Sequence, residues 1–203
     1  MSTVLTLSSG DVMIRDRFQV QVNADGNIAT LYGRVDLSDY NDLPQSRGLM
    51  VKHVRASIRD RSDTLLTNTG NFNYFSNTDL SITTDSYISS ATKLWVTTRA
   101  YSNGEEVGIA SPDVLYTKET TLLGSFNGAN SQNFVGNLYT EENLGDFAPH
   151  GFPIISDLLV GIAMDKYDTF DDEYIEVDFF AIVSPKKFTQ KQVLEMTSQQ
   201  TDL

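Results

Sequence analysis

Five carboxylates fall within nine positions, Asp165, Asp168, Asp171, Asp172 and Glu173. Carboxylates converging from a loop can hold Ca²⁺, which takes flexible all-oxygen coordination. The residue order and glycine of an EF-hand loop are absent. Asp168, Asp171 and Asp172 are therefore calcium candidates by clustering alone, and a solvated acidic turn is the plainer reading. A glycosidase pair needs two carboxyl groups at a defined separation, which sequence spacing does not fix.

The rest of the chemical inventory is thin. Two histidines, His53 and His150, cannot build a multi-histidine metal site within one chain, and neither stands in a recognisable triad pattern. The chain has no cysteine, which excludes disulfides, thiolate catalysis and Cys-based zinc or iron–sulfur sites. No Gly-x-Ser-x-Gly elbow, P-loop or dinucleotide fingerprint occurs. The expectation is a non-enzymatic protein without a cofactor. The aromatics of Asn71-Phe-Asn-Tyr-Phe75 could stack on a sugar, although a loop's own small core explains them equally simply.

Charged strand faces are more informative. Arg55 and Arg59 share one face of a strand, and Glu176 and Asp178 share one face of another. They pair either within one sheet or between neighbouring subunits. In the second case complementary charge would fix register and make assembly salt-dependent. These four residues are the candidate interface.

The net charge of −12 argues against nucleic-acid binding, which needs clustered Lys and Arg, and against docking on anionic lipid through the average surface. It suits solubility at high concentration or in high salt. No apolar run approaches the roughly 20 residues of a membrane span, and the first residues lack the pattern of a secretion signal.

The elements that must position these residues are strands. From Glu173 to Val183, Ile175, Val177 and Phe179 point one way while Tyr174, Glu176 and Asp178 point the other, the period of a sheet with one dry face. Met13 to Val22 and Ile28 to Leu37 alternate likewise around Asn23-Ala-Asp-Gly-Asn27 and read as an antiparallel hairpin. Gly48 to Asp60 sets Met50, Val54, Ala56 and Ile58 against His53, Arg55, Ser57 and Arg59. Lys93 to Tyr101, Val114 to Leu123, Phe134 to Thr140 and Leu158 to Met164 complete about eight strands, with a short one at Leu80 to Thr84 as a further candidate. Arg61 to Ser90, Gly124 to Gln132 and Glu141 to Pro153 read as loops. Thr189 and Gln192 form a capping box that starts a short helix with a Val193, Leu194 and Met196 stripe. The expected fold is all-β, one eight-stranded jelly roll in which a two-sheet antiparallel sandwich spans 12–184 and a terminal helix spans 189–200. An immunoglobulin-type sandwich competes, but such domains are usually nearer 100 residues.

Four features together resemble the single jelly-roll major capsid proteins of tailless icosahedral viruses with an internal membrane, found in archaea and bacteria. They are the opening hairpin from Met13 to Leu37, the Asp-Leu-Ser-Asp-Tyr loop leading into Gly48 to Asp60, the paired closing strands Ser156 to Asp165 and Tyr174 to Val183, and the polar terminal helix. The resemblance implies a virion protein, assembled in the host cytoplasm, that stands upright in a shell and self-associates laterally into capsomers. It implies as partners further copies of the chain, a second capsid, penton or spike protein, and an internal membrane. Many jelly-roll capsid proteins that package RNA carry a basic arm, whereas Met1 to Val12 here holds no Lys or Arg. Direct genome contact is not expected. A β-sandwich binding module for carbohydrate or a host surface, fibre- or adhesin-like, is the alternative, and a glycan-active enzyme on the same fold is a third reading.

Overall fold

The computed structural model describes residues 3–7, 9–42, 44–60, 70–72, 86–108, 110–111, 113–126, 132–143, 150–167 and 172–201. Within them lie ten strands: β1 (Thr3–Thr6), β2 (Val12–Gln21), β3 (Ile28–Val35), β4 (Arg47–Asp60), β5 (Ser86–Thr97), β6 (Val114–Phe126), β7 (Gln132–Asn143), β8 (Phe152–Ile154), β9 (Leu158–Asp165) and β10 (Tyr174–Lys187). A 3₁₀ turn occupies Gly104–Glu106, and one helix, α1 (Gln190–Thr201), follows β10. The eight strands expected from periodicity are present. β1 and β8 are additional, and the candidate strand at 80–84 lies outside the described residues.

The strands form two antiparallel sheets, one ordered β1-β2-β10-β4-β8 and the other β3-β9-β5-β6-β7. Two expected pairings are corrected by this order. β2 and β3 are joined by a tight turn in which the Asn23 and Gly26 amides donate to the carbonyls of Asn27 and Asn23. They nevertheless enter opposite sheets, as do the closing strands β9 and β10. The physical reason is burial. Ile14 and Val20 of β2 and Ile28 and Val35 of β3 are all buried in one core, which requires the two apolar faces to meet across the sandwich rather than lie side by side.

Ile175, Val177 and Phe179 are each at most 2% exposed, as their alternation requires. They face a core that also takes Val54, Ala56 and Ile58 from β4 and Leu94, Val96, Val160 and Ile162 from the second sheet. Each such side chain contributes about 1.5–3 kcal/mol by leaving water. Met50 departs from its expected face. The β4–β10 register passes from His53↔Ile182 to Val51↔Val183, so Lys52 is an extra, bulged residue. The bulge reverses the phase, sending Leu49 and Val51 into the core and Met50 to a satellite cluster with Ile155 and Phe188.

That cluster seats α1 through Val193 and Met196. The capping box forms as expected: the Gln192 amide donates to Thr189 Oγ1 (3.3 Å), and the Thr189 amide donates to Gln192 Oε1 (2.9 Å). Leu194, read as part of the stripe, is instead 70% exposed.

Trp95 has an outward position in the second sheet, yet it is fully buried. Tyr32 meets it edge-on, with ring centroids 5.6 Å apart, and Val107, Val114, Tyr101 and Ala163 enclose it. Tyr32 Oη accepts from Trp95 Nε1 (3.2 Å) and the Tyr101 amide (2.8 Å), and it donates to the Tyr101 carbonyl (3.2 Å). This clip fixes the chain leaving β5 against the outside of the sheet.

Candidate functional site

The charged residues singled out in the sequence converge on the outer face of the first sheet. The β2–β10–β4 registers create four rows: Gln19, Glu176 and Arg59; Arg17, Asp178 and Ser57; Arg15, Phe180 and Arg55; and Met13, Ile182 and His53. Three adjacent antiparallel strands therefore place all four candidate interface residues on one surface.

The first two rows are neutralised internally. Arg17 Nε donates to Asp178 Oδ1 at 2.5 Å and Nη2 donates to Oδ2 at 3.3 Å, while Nη1 lies 3.4 Å from Glu176 Oε2. Arg59 Nη1 lies 3.7 Å from Asp178 Oδ2. The Asp178 hydrogen bond raises the Arg17 pKa above its ordinary value. Glu176 and Asp178 thus take the within-sheet pairing that the sequence left open. Because the Arg17 and Asp178 side chains are about half and a third exposed, their pairing contributes no more than about 1 kcal/mol. Its chemical role is to fix which strands adjoin.

The next row is different. Arg15 and Arg55 are exposed and form no salt bridge among the described residues. Arg15 lies 5.9 Å from the Phe180 ring centroid, and His53 meets that ring edge-on at 6.0 Å. Phe180, Ile182 and Met13 are only partly buried. Arginine beside partly exposed aromatic and aliphatic side chains is the composition of protein interfaces. Arg15 and Arg17 were not among the sequence candidates; they lie on the face of β2 opposite its buried Ile14 and Val20. The alternation Met13, Arg15, Arg17, Gln19 carried the signal.

Beyond the short β8, the outer edge of β4 carries an isolated antiparallel bridge from Arg59 to Asn71 and, among the described residues, two side-chain hydrogen bonds to its carbonyls. Asn143 Nδ2 donates to the Val54 carbonyl at 2.7 Å, and the Tyr116 hydroxyl lies 3.1 Å from the Ala56 carbonyl. That hydroxyl also lies 2.9 Å from Glu141 Oε1. Burial, reinforced by Glu141, raises the Tyr116 pKa well above the ordinary tyrosine value. Burial conversely lowers that of Lys118, whose Nζ sits 5.3 Å from the Tyr139 ring centroid. Open strand edges invite unspecific pairing, and this polar lock closes one.

The other candidates are dispersed. Asp168 and Asp171 lie outside the described residues. Asp172 is exposed with φ at 56°, and Asp165 ends β9. Among the described residues, no group of three or more His, Asp or Glu side chains is placed to hold a metal ion. Phe72 is buried against Tyr167 in the main core, with centroids 5.5 Å apart, and is not available to stack on a sugar. Tyr74 and Phe75 lie outside the described residues. His150 is exposed in a turn.

No family model, no curated protein and no solved structure matches the chain. No helix among the described residues is long and apolar enough to cross a membrane.

Proposed function

We propose that this protein is a non-enzymatic capsid subunit, a jelly roll that associates laterally into the capsomers of an icosahedral shell. The observation that carries the reading is the nested strand order. Omitting the edge strands β1 and β7 leaves β2-β10-β4-β8 opposite β3-β9-β5-β6; every step along the chain except β5 to β6 crosses between the sheets, and the last strand inserts between β2 and β4. This order supports the reading of a double Greek-key jelly roll, an architecture that recurs in viral capsid and lectin domains. The arginine- and aromatic-bearing outer face of the first sheet supports self-association over small-molecule chemistry.

The test is particle size. Light scattering and electron microscopy of the purified full chain over a salt and concentration series should reveal symmetric oligomers or larger shells. A strict monomer throughout would overturn the reading. Particles containing this chain in micrographs of its native source would give direct support.

A further inference from the structure

The cations are unevenly distributed. Eight of the 15 Lys and Arg residues lie on β2, β4 and β10, against four of the 27 carboxylates. Two of those four, Asp60 and Glu176, are buried. A chain with net charge −12 thus presents one cationic sheet face and is acidic elsewhere.

The outer face of the opposite sheet bears a complementary feature. A groove of about 590 Å³ runs beside β9, β5 and β6, walled by Glu105, Glu119 and Asp165. Lys93 is its sole cation and is held by Glu119 at 2.8 Å. Glu105 and Asp165 are exposed. The small side chains of Ala29, Ala91 and Ala163 leave room in the lining for long side chains from outside.

We propose that copies of this chain associate head to tail, the exposed Arg15 and Arg55 that flank Phe180 on one copy meeting the Glu105, Glu119 and Asp165 groove of the next. The inference rests on the capsid-subunit reading and specifies its contact. The two surfaces lie on opposite outer faces of one sandwich, so the contact is heterologous. Each copy uses both surfaces, and the row closes into a ring when the rotation per copy divides a full turn. Like faces repel, which suppresses back-to-back pairing. Charges at the rim are screened over roughly 8–10 Å at moderate ionic strength, so assembly through them is salt-sensitive.

Paired charge reversal tests this. Arg15→Glu/Arg55→Glu makes both surfaces of a copy acidic, and Glu105→Arg/Asp165→Arg makes both cationic. Each variant alone should lose assembly while keeping the wild-type circular dichroism spectrum. An equimolar mixture should recover it, because every contact then joins opposite charges. Should reversal prevent folding, Arg15→Gln/Arg55→Gln should still raise the half-assembly concentration roughly tenfold. Folded reversal variants that assemble alone, unaltered assembly of the Gln variant, or a mixture that stays dissociated would overturn the contact while leaving the capsid reading intact. Wild-type protein that binds phosphatidylglycerol vesicles through Arg15 and Arg55 but does not self-associate would assign the face to a membrane and overturn the contact. A wild-type chain that is monomeric in every condition overturns both.

Discussion

Alanine at Gly161 would put a methyl group where the Trp95 indole lies. Gly161 pairs directly with Trp95 across β9 and β5, and a Cβ built there falls 2.0 Å from Trp95 Cε2 and 2.3 Å from Nε1. Ordinary contact begins near 3.4 Å, so the ring must retreat by about 1.4 Å. It has little room, being fully buried with Tyr32 against its edge and Gly104 beyond its far side. Overpacking of this kind costs about 1–3 kcal/mol. Losing the Trp95–Tyr32 hydrogen bond adds about 0.5–1.5 kcal/mol, while replacing glycine within a strand returns about 0.5–1 kcal/mol. The net expectation for Gly161→Ala is a destabilisation of about 0.5–4 kcal/mol centred near 2 kcal/mol, the centre corresponding to a fall in Tm of roughly 4–8 °C for a chain of this size. Trp95 is the sole tryptophan, so fluorescence-monitored urea melts report on this site directly. In a Trp95→Leu background the clash disappears, and a double-mutant cycle, followed in all four proteins by circular dichroism because that background lacks tryptophan, should give a coupling of at least about 1 kcal/mol. A cost for Gly161→Ala under about 0.5 kcal/mol, or the same cost in both backgrounds, would refute this account of the packing. The consequence reaches the proposed groove, because the Trp95 clip holds the segment that carries Glu105.

Tyr116→Phe removes the hydroxyl that lies within hydrogen-bond reach of both the Ala56 carbonyl and Glu141, and urea denaturation should show a loss of about 1–2 kcal/mol; an unchanged midpoint would mean that the edge lock contributes nothing. Asp11 is hydrogen-bonded by Lys52, Ser184 and Ser9, and these bonds, the Lys52 bond first, lower its pKa from 3.8 to about 2. A depressed folded pKa gives stability that is present above the ordinary aspartate value and lost as pH falls toward about 2. The stability advantage of wild type over Asp11→Asn in thermal melts should therefore shrink across that interval, and a difference constant from pH 7 to pH 2 would contradict the linkage.

Strand existence was legible in the sequence because alternation records which residues are buried, and eight strands were read that way. Adjacency was not legible. The Asn23 to Asn27 turn carries hairpin chemistry and closes like one, but only the joint burial of the β2 and β3 faces decides that these strands part. β8 escaped because it is three residues long and contains Pro153, which removes a ladder donor. β1 escaped because four uncharged residues establish no period. The bulge at Lys52 reversed the phase of Met50 without altering the local pattern. On the candidate surface, Arg55, Arg59, Glu176 and Asp178 were found, but their distinct roles were hidden. Arg59 and Asp178 are spent on pairing within the sheet. Arg55 stands beside Arg15 and Phe180, a neighbour relation created only by the β2–β10–β4 register.

If copies associate as proposed, that register would tie assembly to the completion of folding. β10, the last strand, inserts between β2 and β4 and pairs along both. Before insertion the Arg17–Asp178 bond, which spans 161 positions, does not exist. The row is also incomplete, because Phe180 arrives with β10 and brings Arg15 and Arg55 together. Contacts of such sequence separation form late, since the loop-closure entropy must be overcome first. On the proposed contact, copies with an unfinished sandwich would lack the surface through which they associate, which would limit premature aggregation of an edge-rich β protein. We predict that, in refolding followed by far-UV circular dichroism and light scattering together, scattering rises only after the strand signal is complete, with a lag that persists as protein concentration increases. Scattering that rises before the strand signal is complete would show that association does not wait for β10, and the coupling would fail.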